Sequence, residues 1–517
     1  MDTGIVKRIT ILAALLLLFS TYAMAEIRFD ADFEGGCLGK VTRKSKDVFV
    51  VGEKADPENI IDTDLAPSVN WYYWRVTGVK GQKITIKCTE QLLSGSSYSY
   101  DGKTWQHFSR NEIKKHSITK RFERDTCYVA PFVPYTYSYG KQRLDHWASR
   151  EDVVRDTIGY SFQHRPLEVL HITDPDSPAE GKKRVWIHSR IHPSETPASY
   201  LLDAFLEELT DSSASSKAIR EKFDFHILPF INPDGVANGY ARCNALGVNQ
   251  EINYDRDPDN TVVEIQAVKK ELERLTEEKP LDMLLNNHSQ RSPFATFWMH
   301  TAESTSQKFQ GKLWTLTGLT CTFNPYMSTD RMSFSSVKPR YVEGFIWNRN
   351  GEDTPAITVE TPYNYYSYGG DAEEVTVENL GEIGHRLLWA VVDYFQVDTP
   401  GRYFIETPEK MPEGWETASD QFSCMGQDAW VSTRPRAEVN YFRGDLPSGR
   451  YTIYRYVSGE NISPEKGSFF SKDEYPGLHG WVRAGSCFIL PGEMIEYRLR
   501  AYQAGETADA LMVIKEQ

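Results

Sequence analysis

The chain has 517 residues, 40% of them hydrophobic, with a net charge of −14 and an isoelectric point near 5.5. That apolar content supports globular packing, and the length exceeds what one hydrophobic core organises, so several domains are expected. The acidic balance argues against a nucleic-acid partner, because phosphate binding needs a basic field.

Near the start of the chain stand Lys7 and Arg8, an apolar run over 9–19, and Ala23-Met24-Ala25 ahead of Glu26. A basic start, a short apolar stretch and small residues at a cleavage point make 1–25 a secretory signal peptide. The run is shorter than the ~20 residues of a membrane-spanning helix, and no later segment is apolar enough to span. The mature chain is therefore expected to be exported, to the periplasm or beyond the cell. Seven cysteines (Cys37, Cys88, Cys127, Cys243, Cys321, Cys424 and Cys487) lack the paired short spacing of a thiolate metal site. Their connectivity stays open.

Residues 26–145 read as an N-terminal β-sandwich. The stretches 47–51, 70–76 and 82–88 mix β-branched and aromatic residues with polar ones, and glycine or aspartate turns such as Asp101-Gly102 separate them. The clustered aromatics around Trp71 and Trp74 suit packing between two sheets. Over 146–397 the rhythm changes. Apolar runs at 185–187, 225–231, 283–285 and 356–359 alternate with helical patterns at 199–210 and 262–277. Such runs are strands buried on both faces, so this stretch is read as an α/β domain with a mixed sheet, whose site lies beyond the strand ends. Residues 398–517 turn β-rich again, at 450–456 and 494–500, with no chemistry-bearing motif.

Polar residues collect at the ends of the central strands. His192-Pro193-Ser194-Glu195 follows the strand at 185–187 and sets an imidazole and a carboxylate three residues apart. Two such donors on one turn ask for a distant third ligand, since a catalytic zinc site has three protein donors and one open position. Asn232-Pro233-Asp234-Gly235 and then Arg242 follow the next strand, His288 closes the run 281–287, and Glu360 follows 356–359. His188 and His192 form a His-x-x-x-His pair that would suit one metal only on a helix; four strand residues span ~13 Å. Asp234 is expected to fix the turn beneath Arg242.

In this order, His-x-x-Glu, Asn-Pro-Asp-Gly, Arg, a strand-end His and a strand-end Glu resemble the zinc metallocarboxypeptidases of the carboxypeptidase A-like type, over about 150–395. The stretches from Trp71 to Gly81, Tyr100 to Trp105 and Val133 to Ser138 resemble the N-terminal β-domain of the cytosolic-carboxypeptidase-like branch. The resemblance implies one zinc ion per chain held by His192, Glu195 and His288. It makes Glu360 the general base and Arg242 the oxyanion stabiliser.

Two positions depart from the family pattern. Where it grips the substrate carboxylate with an Asn-Arg pair, this chain has Glu251 and Ile252; a shifted alignment recovers Asn253 but sets Tyr254 at the Arg position. Arg256, Arg291 or Arg340 would then have to supply the cation, and Tyr341 is the candidate substrate-closing tyrosine. Asn286 stands where the family has an aspartate behind the third ligand. The function expected is an exported zinc carboxypeptidase acting on peptide C-termini, with Arg242, Asn253, Arg256 and Tyr341 binding substrate. The alternatives are a cell-wall peptide amidase or endopeptidase, and a non-catalytic binding protein that retains the fold.

Overall fold

The computed structural model describes residues 26–89, 95–367, 372–418, 425, 429–458 and 480–516. The expected signal segment 1–25 and Cys424 lie outside the described residues. The N-terminal region is a two-sheet sandwich. Arg28–Asp30, Trp74–Thr77, Cys127–Ala130, Ser97–Ser99 and Trp105–His107 form one sheet; Val41–Arg43, Val48–Val51, Lys83–Cys88, Ser117–Arg121 and Ile113–Lys114 form the other. Alternation explains the packing: in Lys83–Cys88, Ile84 and Ile86 are buried while Lys83 and Lys87 are exposed. Trp74, Val76, Phe108, Ile118 and Val129 meet in the core between the sheets. The strand expected at 70–76 begins only at Trp74, because residues 52–72 run as a loop toward the central region.

The central region is built on an eight-stranded mixed sheet. Its strands are β1 (Val153–Tyr160), β2 (Pro166–Ile172), β3 (Lys183–Ser189), β4 (Phe223–Leu228), β5 (Met283–Gln290), β6 (Thr296–His300), β7 (Ser333–Ser335) and β8 (Ala356–Pro362), in the order β1-β2-β4-β3-β5-β8-β6-β7. Strand β3 pairs parallel with β4 and β5, and β5 parallel with β8; β1, β2 and β6 enter antiparallel. Helices α1 (Tyr137–Ala148), α2 (Thr196–Leu209), α3 (Ala214–Lys222), α4 (Pro233–Asn238), α5 (Val263–Leu275), α6 (Gln307–Cys321), α7 (Val342–Asn350) and α8 (Val377–Tyr394) fill the connections.

Both faces of the central strands are buried, as their unbroken apolar runs predict. Val185, Ile187, Leu285 and Ile357 pack with Leu201, Phe205 and Leu387 of α2 and α8. On the other face Trp186, Leu284 and Ala356 pack with Ile265, Val268 and Leu272 of α5 and Ile346 of α7. Helix α8 starts on a reciprocal cap, in which Thr376 accepts from the Asn379 backbone while the Asn379 side chain accepts from Thr376 N–H.

The C-terminal region carries a four-stranded sheet of Arg402–Ile405, Leu511–Lys515, Gly449–Val457 and Gly480–Ile489, flanked by smaller sheets. It is joined to the central region through a buried charge. Asp393 of α8 accepts from Arg386 of the same helix at 2.9 Å, from Arg402 at 2.6 and 2.7 Å, and from Trp481 Nε1 at 2.9 Å. Among the described residues no helix is long and apolar enough to cross a membrane.

Candidate metal centre and active site

The turn that carries His192 and Glu195 begins at Arg190, a buried residue in the left-handed region at φ 55°. A non-glycine side chain there costs about 1–2 kcal/mol, which the guanidinium offsets with hydrogen bonds. Its Nε donates to Pro193 O at 3.1 Å, and Nη1 donates to Tyr135 O at 3.2 Å and Ser199 Oγ at 2.9 Å. The chain therefore folds back on itself directly after β3. Glu195 lies just ahead of α2, whose early proline needs no hydrogen-bond partner.

His192 Nδ1 is 2.8 Å from Glu195 Oε1, and His288 Nδ1 is 2.8 Å from Glu195 Oε2. The ligand atoms of all three lie within 4.8 Å of one another, and all three residues are buried. His288 and Glu360 are register partners on β5 and β8, inside the strands rather than at their ends. Parallel pairing thus sets the expected third ligand beside the expected base.

The electrostatics favour a cation at this point. Burial pushes the imidazoles down, yet the Glu195 carboxylate outweighs it, raising His192 and lifting His288 to about 10. Burial raises Glu195, but the two histidines pull it well below the usual carboxylate range. Two imidazole nitrogens and one carboxylate are a donor set that zinc accepts, so these residues fit the ion. Burial also raises Glu360 to about 8, opposed only in part by His288. Glu360 Oε2 has no hydrogen-bond partner. A carboxyl group near neutrality with an unengaged oxygen can both take and give a proton.

These groups line a cavity of about 530 Å³ that also holds Arg242, Glu251, Tyr341, Arg291 and Glu343. Arg242 is delivered by α4, whose Asn232 cap accepts from Gly235 N at 2.9 Å and which ends at Gly239 with φ 72°. A Cβ on Gly239 would lie 2.5 Å from Gly35 O, so only glycine lets the N-terminal region approach. The segment after it is held from the N-terminal loop. Asp56, which is buried, accepts the backbone N–H of Ala241, Arg242 and Cys243 at 2.7, 2.8 and 3.0 Å. Ser68 and Asn70 of the same loop line the cavity.

Not every expected substrate contact is in the cavity. Arg256 is absent from its lining and pairs with Asp62 at 2.6 Å. Asn253 is fully buried and its amide donates to Asn249 O at 2.6 Å, inside its own turn. Arg340 is also outside the lining, whereas Arg291 and Tyr341 are part of it. Glu251, seen in the sequence only as a departure, is instead central: its Oε2 is 2.7 Å from Arg242 Nη2 and 3.2 Å from His192 Nε2. Asn249 Oδ1 lies 3.3 Å from the same imidazole nitrogen.

Asn286 does not back His288. It accepts from His188 Nε2 at 2.8 Å and donates to Glu343 at 2.9 Å. Trp186 Nε1 donates to His188 Nδ1, which sets that tautomer and makes His188 a core residue rather than a ligand. Asp234 serves a different loop from the one beneath Arg242. It accepts from Ser161 Oγ, Gln163 N and Arg165 Nη1 at 2.6–2.8 Å. Asp56 could not be found by motif, because it lies in a loop of another region, about 185 residues from the segment it holds.

The zinc carboxypeptidase family profile matches residues 142–381. Human cytosolic carboxypeptidase 6 is 25% identical over 407 residues, covering 72% of this chain and 79% of that protein. A Zymomonas mobilis protein is 27% identical over 237 residues, covering 43% of this chain and 58% of its own length. Among solved structures, a metallo-carboxypeptidase from Burkholderia cenocepacia shares the fold at a TM-score of 0.61 and 20% identity, over 71% of this chain and 98% of its own. One from Pseudomonas aeruginosa does so at 0.60 and 18%, over 71% and 99%. Residues 142–381 of the chain thus match the zinc carboxypeptidase family, the similar proteins include cytosolic carboxypeptidases, and the fold is shared with bacterial metallocarboxypeptidases.

Proposed function

We propose that the protein is an exported zinc metallocarboxypeptidase that releases residues from peptide C-termini. The observation that carries this reading is the convergence of His192, Glu195 and His288 within 4.8 Å, in one cavity with Glu360 and Arg242. The basic, apolar and small-residue segments of 1–25 support export.

Zinc held by His192, Glu195 and His288 would supply Lewis acidity, lowering the pKa of a water and polarising the scissile carbonyl. Glu360 takes the proton from the attacking water at its unengaged Oε2 and returns it to the leaving amine. Arg242 would face the oxygen on which charge develops, where a fixed cation stabilises it. Tyr341 and Arg291 line the same cavity and would border the departing residue.

A second reading has its own support. Glu251 engages Arg242 at 2.7 Å and Ile252 offers no guanidinium, which suits a cell-wall peptide amidase or endopeptidase whose substrate continues beyond the cut. A peptide library and cell-wall fragments, digested by zinc-loaded protein and read by mass spectrometry, separate the two. Loss of single C-terminal residues, stopped by chelation, supports the carboxypeptidase; internal cuts alone replace it with the second reading, and no cleavage removes both. Glu360→Gln is expected to lower kcat by at least ~100-fold, the scale of a lost general base, while zinc content stays at wild-type level. His288→Ala is expected to lose that zinc.

A further inference from the structure

Two groups of residues bring metal-binding donors together among the described residues, and only one is in the cavity. The other is His171, Asp224 and His226. His171 lies on β2 directly opposite His226 of β4, and Asp224 is two residues earlier on β4, so all three share one face of the sheet. Asp224 is the register partner of Arg184 at the start of β3, whereas His192 and Glu195 follow that strand's exit.

The donors have the geometry of a shared ion. Asp224 Oδ1 is 2.7 Å from His171 Nε2 and 3.1 Å from His226 Nε2. Metal bonds of about 2.0–2.2 Å place the donors of one tetrahedral shell roughly 3–3.5 Å apart, so the His226 contact already fits and the His171 contact would open by a few tenths of an ångström. The two imidazoles stack, with 4.6 Å between centroids and 11° between planes, and both present Nε2 to the same oxygen. Arg184 Nε donates to Asp224 Oδ2 at 2.9 Å, which leaves Oδ1 turned toward the histidines. A group behind a carboxylate in this way orients it as a ligand.

A second observation points to a missing partner. His226 is 6% exposed, and its Nε2, 3.1 Å from Asp224 Oδ1, makes no well-aligned hydrogen bond. Buried polar atoms are almost always satisfied. The His171 side chain is 34% exposed and gives an ion a route in.

We infer that His171, Asp224 and His226 form a second divalent-metal site, of the imidazole-carboxylate type that takes zinc, distinct from the one in the cavity. Three protein donors leave a position for water, and the bound ion ties the antiparallel strand β2 to the parallel core at β4. The inference does not depend on the reaction catalysed.

The test is a zinc titration of the full-length, chelator-stripped protein by calorimetry. Wild type is expected to bind two equivalents, His171→Ala and His226→Ala one, and His288→Ala one. Added zinc is expected to raise the melting temperature of His288→Ala and not that of His171→Ala/His288→Ala. His171 is partly exposed, so its replacement keeps the question open to measurement even where His226→Ala fails to fold. A wild-type stoichiometry of one, or two equivalents retained by His171→Ala, overturns the inference.

Discussion

At the cavity wall the Arg242 guanidinium and the Glu251 carboxylate sit 2.7 Å apart, and His192 Nε2 lies 3.2 Å from the same oxygen. Although burial raises Glu251, His192, His288 and Arg242 hold its carboxyl down at about 2, so it is ionised at any working pH. A substrate carboxylate entering here meets a cation that is already paired. Glu251→Asn removes the competing charge, and a charge-assisted contact is worth about 1.5 kcal/mol, or roughly tenfold. Steady-state kinetics on peptides with a free C-terminus are therefore expected to show KM about tenfold lower in the variant. An unchanged or higher KM would mean that the carboxylate is held elsewhere, with Arg291 the lining residue to examine next.

At the scale of elements, the site is an agreement between strand exits and one borrowed loop. Strands β3 and β5 are hydrogen-bonded neighbours, so the segments that leave them meet by register. The Arg242 segment has no strand to hold it. Its backbone is instead fixed by Asp56, with Ile60 N donating to Leu246 O at 3.3 Å nearby. Asp56→Ala leaves three backbone N–H groups without their acceptor, each worth about 1 kcal/mol. Expected is a fall of ten- to a hundredfold in kcat/KM at full zinc occupancy, with an unchanged far-ultraviolet spectrum. Asp56→Asn, which keeps one carbonyl oxygen, is expected to recover part of it. Equal activity in all three proteins would reduce the loop to a packing role.

For the molecule as a whole, the joint at Asp393 links the central and C-terminal regions. Burial alone would raise this carboxyl, but Arg402 and Arg386 outweigh it and hold it below the usual range. A depressed folded-state pKa contributes stability that is present above about pH 4 and is lost as pH falls through the folded value. Asp393→Asn strands two buried guanidinium groups, a defect of about 3–5 kcal/mol. Urea unfolding at pH 7 is expected to show that loss, and the difference from wild type is expected to shrink as the pH is taken below 4. A constant difference across that range would show that the charge on Asp393 is not what holds the joint.

Much of this was legible in the chain. The apolar runs at 185–187, 283–285 and 356–359 announced doubly buried strands, because a strand covered on both faces cannot alternate. His192, Glu195, His288 and Glu360 could be gathered from motif and order, since each sits on or just after such a strand. What lay outside reach was set by contacts across regions. Arg256 and Asn253 were eligible by type alone, and only the fold turned one toward Asp62 and the other into its own turn. Glu251 read as a gap in a pattern until its carboxylate was found between Arg242 and His192. Asp56, and the meeting of His171 with His226, had no local signal at all. By itself the sequence determined which strands are buried and which donors lie on or just after them, because periodicity and short motifs are local properties. Only the tertiary structure decided which charges meet, because a pairing between β2 and β4, or between a sandwich loop and the Arg242 segment, depends on chain paths that no local pattern encodes.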